Sequence, residues 1–146
     1  MARRMTRRES WSYFEHVLAD NEVAEQGNIA CIDLSTGELV AGDEDTGLLP
    51  IGYFDRDLEG DGVAKARVRL FGEIQVDRFA NDANDPVAAA DIGSMCFIAG
   101  PATVSIEGSG RSVAGRVWGV SSDGVLVQMA LNLGPEGAQG PAGGTD

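Results

Sequence analysis

Turn residues recur in this chain at short intervals, and the apolar runs between them are strand-length. Ser35-Thr36-Gly37, Gly42 to Gly47, Asp55 to Gly62, Asn81 to Asp85, Gly100-Pro101, Ser109-Gly110 and Ser121 to Gly124 each carry turn chemistry. Between two of them, Ala64, Ala66, Val68 and Leu70 alternate with Lys65, Arg67 and Arg69, the period of two of a half-buried strand. Glu73 to Phe79 alternates again, with Ile74 and Val76 expected inward and Gly72 before them as a bulge or bend. Val113 to Val120 and Val125 to Leu131 flank Ser121-Ser122-Asp123-Gly124. An Asp-Gly pair between apolar runs is a hairpin signal, because glycine supplies the positive φ that the turn needs.

The remaining strands follow the same logic. Asn28 to Leu34 and Leu39-Val40 read as a hairpin. Leu48 to Phe54 is a strand that Pro50 places at an edge or near a strand start. Met95 to Ile98 and Thr103 to Ile106 lie on either side of Gly100-Pro101. In all, about nine short strands are expected, which favours an all-β fold, a small barrel or sandwich, over an α/β one. Twenty glycines and a single lysine, Lys65, are not the composition of a helical bundle. Pro86 to Asp91 suits one helical turn, with proline at its first position. Trp11, Phe14 and Leu18 have helical spacing, so residues 11–19 read as one or two helical turns or as an extended strap that needs a surface to pack on. The organisation expected is a basic and aromatic N-terminal arm over residues 1–27, a β-rich body over 28–132, and a flexible tail over 133–146.

Charge separates these parts. Arg3, Arg4, Arg7 and Arg8 fall in the first eight residues with no acid among them, while the rest of the chain carries seven basic against 23 acidic side chains. An acidic body repels nucleic acid, since binding it requires phosphates to be neutralised. The basic arm suits an acidic protein surface or the body of a neighbouring copy. In the tail, Gly134, Gly137, Gly140 and Gly143 keep a glycine at every third residue, a collagen-like register that becomes structural only if three tails are brought together; alone it reads as a flexible linker. No apolar run reaches the ~18 residues of a membrane span, and no apolar core follows the first arginines as in a secretory signal. A protein made in a reducing cytoplasm is expected, with Cys31 and Cys96 as buried free thiols in apolar strands.

No catalytic, cofactor-binding or metal-ligating residue is assigned. His16 has no nucleophile at a recognisable spacing. Asp55-x-Asp57-x-Glu59-Gly60 has the first half of a calcium loop, but Ala66 stands where the bidentate glutamate belongs. It reads as a solvated acidic loop, as does Asp43-Glu44-Asp45. Gly108-Ser109-Gly110-Arg111-Ser112 lacks the lysine and spacing of a phosphate loop. A structural protein and not an enzyme is the expectation.

Over residues 47–129 the order of features resembles the head decoration, or capsid cement, proteins of tailed phages. The segments concerned are Thr46-Gly-Leu-Leu-Pro-Ile-Gly52, Lys65-Ala-Arg-Val-Arg-Leu-Phe-Gly72, Phe79-Ala-Asn81, Ala89-Ala-Asp-Ile-Gly-Ser-Met-Cys-Phe97, Ser112-Val-Ala-Gly-Arg-Val-Trp-Gly119 and Ser122-Asp-Gly-Val-Leu-Val127. The family pattern is similar: an Asp-x-Gly bend before a short strand, an Ala-Gly-x-Val strand, a Ser-Asp-Gly turn and a closing apolar strand. Each motif is short, so the likeness lies in their order, and it covers a little over half of the chain. It implies a β-rich body on the outer surface of the phage head, bound to the major capsid protein and often a symmetric oligomer, here a homotrimer. It implies no cofactor and no reaction; the acidic body and the lack of a long apolar run argue against nucleic acid and membrane as partners. The capsid-binding residues expected on physical grounds are those of the arm: Arg3, Arg4, Arg7, Arg8, Trp11, Tyr13 and Phe14. A head spike, fibre base or tail adaptor is the alternative within the same class.

Overall fold

The computed structural model describes residues 13–71 and 76–129, and the fold is all-β. Its strands are β1 (Tyr13–Val17), β2 (Val23–Ala24), β3 (Ile29–Asp33), β4 (Leu39–Ala41), β5 (Leu48–Phe54), β6 (Leu58–Glu59), β7 (Lys65–Leu70), β8 (Val76–Asn81), β9 (Met95–Gly100), β10 (Thr103–Ser105), β11 (Val113–Ser121) and β12 (Gly124–Met129). They form two main layers and a small ribbon.

The first layer is a five-stranded antiparallel sheet in the order β1-β7-β5-β3-β4. Beyond β1, Leu18 bridges in parallel to Leu39 of β4, and the Ala19 N–H donates to the Leu39 carbonyl at 3.0 Å. The sheet is therefore curled until its two outer strands touch at one point. Leu18, Ala24, Ala30, Leu39, Ile51, Phe54, Ala66 and Val68 form a buried cluster within this curl. The ribbon of β2 and β6 (Val23↔Glu59, Ala24↔Leu58) adds Ala24 and Leu58 to it.

The second layer is a closed barrel, β10-β8-β12-β11-β9, sealed by a short parallel pairing of β10 with β8. Phe79, Cys96, Ile98, Val104, Val117, Val125, Val127 and Met129 belong to its core, which continues onto Ile29, Cys31 and Leu48 of the curled sheet. At this junction the buried Ser112 hydroxyl accepts the Leu48 N–H (3.0 Å) and donates to the Asp45 carbonyl (2.7 Å). Beside it Arg111 pairs with Glu44 and Asp82 and donates to the Ser105 hydroxyl and the Glu107 carbonyl. One arginine thus ties three loops together.

Several expectations are corrected. Residues 13–17 are a strand, the extended of the two forms expected for residues 11–19, and Leu18 and Ala24 are fully buried, so the body begins at residue 13 and not 28. Tyr13 and Phe14 are paired with β7 and belong to that body. Pro50 lies near the start of β5, as one of the two expected placements has it, but β5 is a central strand and not an edge; its missing donor is tolerated because the β5–β7 ladder covers only Gly52–Phe54. Val76 faces out, because β8 turns buried Phe79 inward and a period of two cannot place both on one face. The acidic stretch from Asp55 to Gly62 contains β6, and only Ala89–Asp91 of the expected helical turn is helical, as a 3-10 turn. Gly72, Glu73, Ile74, Leu131 and the Gly-x-x tail lie outside the described residues.

Candidate interaction surfaces

Of the expected arm, Arg3, Arg4, Arg7, Arg8 and Trp11 lie outside the described residues. Tyr13 and Phe14 are separated by the alternation of β1. Phe14 packs on the cluster within the curl, with its ring stacked on His16 at 5.6 Å. Tyr13 is on the other face, exposed, with the Arg67 guanidinium 3.9 Å above its ring and Arg69 as its register partner. The arm therefore joins the body beside two further arginines. A cation over an aromatic face is favourable and holds both side chains in place.

His16 is occupied structurally: its Nε2 donates to the Gly37 carbonyl at 2.8 Å, across the curl from the β3–β4 turn. The residues of the calcium-like stretch are engaged elsewhere. Asp55 pairs with Arg67 at 3.5 Å, Asp57 accepts the Gln26 N–H at 2.9 Å, and Glu59 lies in β6. Among the described residues no three His, Cys, Asp or Glu side chains converge as a metal cluster would require. The other notable carboxylates also serve the backbone. Hydrogen bonds from the Ser35 hydroxyl and N–H hold the Asp33 carboxyl below its ordinary range, and the Ala64 and Val63 N–H groups do the same for Asp61. For Asp82 the Asn84 N–H is the largest cause.

Cys31 and Cys96 are free and buried in one apolar cluster. Burial pushes both thiols up, Cys96 to about 12. Thiolate is the reactive form, so neither cysteine should react with a thiol reagent in the folded protein at pH 8. Both should react once it is unfolded in guanidinium, and a spectrophotometric thiol titration with and without denaturant checks this.

Two features that sequence reasoning passed over stand out. Trp118 is 49% exposed on the outer face of the barrel, where its indole N–H donates to Gln128 Oε1 at 2.7 Å. Around it the β8, β11 and β12 ladders place Leu126, Val76, Arg78 and Arg116. The only acid on those three strands, Asp77, is opposite buried Val127, in the inward phase of β8. A basic and apolar face is thus set on an acidic protein. The second feature is a groove of about 390 Å³ lined by Val23, Ala24, Glu25, Asp57, Leu58 and Glu59, three apolar and three acidic residues. The alternation of β11 turns Trp118 outward with Arg116, on the side opposite buried Val117, just before the register shift between Val117 and Gly119. An aromatic within an apparently regular strand gave no signal of that turn.

Among the described residues no helix is long and apolar enough to cross a membrane. Comparison of the chain with protein-family models, with curated proteins and with solved structures gives no match.

Proposed function

We propose that this chain is a structural virion protein that binds the exterior of a phage capsid, through the major capsid protein, and stabilises the shell. The observation that carries this reading is a compact β body preceded by a strongly basic arm. Four arginines and Trp11 lead directly into β1, where Tyr13, Arg67 and Arg69 continue the same chemistry on the surface. Arginine and aromatic side chains are the types that anchor protein interfaces, and arginine pairs bidentately with carboxylates. The resemblance to cement proteins supports the reading further, since its ordered segments coincide with β5, β7, β8, the 3-10 turn with β9, and the β11–β12 hairpin. Such a protein needs no reaction and no cofactor. It acts by linkage, binding the assembled shell and not the free subunit, on the outer surface of the head and as a homotrimer. The glycine triplets from Gly134 onward favour a second reading, a fibre base, head spike or tail adaptor.

Co-sedimentation with undecorated expanded heads, with unexpanded shells as control, tests the proposal. Saturable binding to expanded heads with increased heat resistance is expected. Deleting residues 1–12 should weaken that binding at least tenfold while the body stays folded. The cut ends there because a longer one removes β1 and buried Leu18. Full binding by the shortened chain would exclude the arm, and no binding by the intact chain to either shell would turn the reading to the fibre or adaptor class.

A further inference from the structure

The Trp118 face and the β2–β6 groove are complementary in charge. One presents a large exposed aromatic flanked by Arg78 and Arg116; the other is a groove lined by Glu25, Asp57 and Glu59 together with Val23, Ala24 and Leu58. The groove is also bordered by unusually exposed aliphatic surface, with Val23 exposed by 54%. We propose that copies of this chain associate head to tail, with Trp118 of one copy entering the β2–β6 groove of the next and its arginines facing that groove's carboxylates.

The argument for a second copy as occupant is charge. Two Trp118 faces brought together would set arginine against arginine, and two grooves would set carboxylate against carboxylate; each like-charged pairing is unfavourable. Only the mixed pairing matches signs and also sets Trp118 against exposed Val23. Tryptophan and arginine at the centre of a patch are the side chains that carry most of an interface's binding energy. Because the two surfaces differ and lie on different sheets of the same molecule, the contact is heterologous, and its repetition gives a closed ring or an open string. This association goes beyond the shell-binding reading and does not depend on it.

Light scattering of the full chain during gel filtration, over rising concentration at low and high salt, is the measurement. The wild type should self-associate, more weakly at high salt as screening reduces the charge contacts. Trp118→Ala, and Val23→Arg with Glu59→Arg, should each raise the apparent dissociation constant at least tenfold with little change in melting temperature, since all three side chains are exposed. Mixing the two variants is the decisive arm: one retains the groove and the other the tryptophan, so the mixture should form a dimer of one of each and nothing larger. A chain lacking residues 1–12 should associate as the wild type does. A monomeric wild type throughout, either variant associating normally, a mixture that stays monomeric, or loss of association on removing the arm would each overturn the proposal. The last would make the arm the groove's occupant.

Discussion

Gly115→Ala is expected to lower the melting temperature by about 10 °C, although it adds a single methyl group. A Cβ at this position, the third residue of β11, would fall on the carbonyl of Gln128 in β12 and within 2.9 Å of Val127 Cγ1. The obstacle is backbone, so no side-chain rotation relieves it. The clash also lies where β11 is held on both sides, with Met129 and Cys96 as its register partners. Overpacking of a core costs about 1–3 kcal/mol, and a site fixed between two ladders belongs at the upper end. Thermal unfolding followed by circular dichroism would check this. An unchanged midpoint would mean that the β11–β12 pair separates at little cost and that the barrel is looser than its hydrogen bonding indicates.

Phe54→Ala should cost more, about 4 kcal/mol, the middle of the range for removing a buried phenylalanine. Among the described residues Phe54 is the largest fully buried side chain, and it belongs to the cluster inside the curled sheet. Its backbone is fixed as well: its N–H donates to the Asn28 carbonyl at 3.0 Å and its carbonyl accepts the Gly27 N–H at 2.9 Å. The surrounding strands therefore cannot close over the void, and the cavity term is retained in full. Urea unfolding should show a lower midpoint, with Phe54→Leu giving a much smaller loss. Equal losses in the two variants would mean that aromatic shape, and not volume, is what the site requires.

How much of this was legible in the sequence depended on how locally each feature is encoded. The alternation of β7 is visible in six consecutive residues, and the structure buries Ala66 and Val68 as expected. The β11–β12 hairpin was equally legible, with Gly124 at φ +131° beside the Phe79 carbonyl. Both cysteines were placed correctly from their apolar neighbours. What failed was long-range. Phe14 and Leu18 share a side in a helix as well as in a strand, and only β7 and Leu39 decide between the two. The strands of the β2–β6 ribbon are two residues long, so no periodicity exists to be read, and their acidic surroundings look like loop. Closure of the barrel through Thr103↔Ala80 is a pairing that neither segment announces. The Trp118 face stayed hidden for the same reason, since it is assembled from β8, β11 and β12.

A protein present at high local density faces one hazard above others: a free strand edge on one molecule can zip onto that of the next, and the adhesion is then non-specific and hard to reverse. Among the described residues the ladder of β8 to β12 runs full circle, and the curled sheet brings its two ends together at Leu18 and Leu39. Neighbouring molecules of such a fold meet mainly through side chains, and side-chain contacts can be chosen, tuned by charge, and undone. Crowding then leads to ordered packing and not to fused sheets.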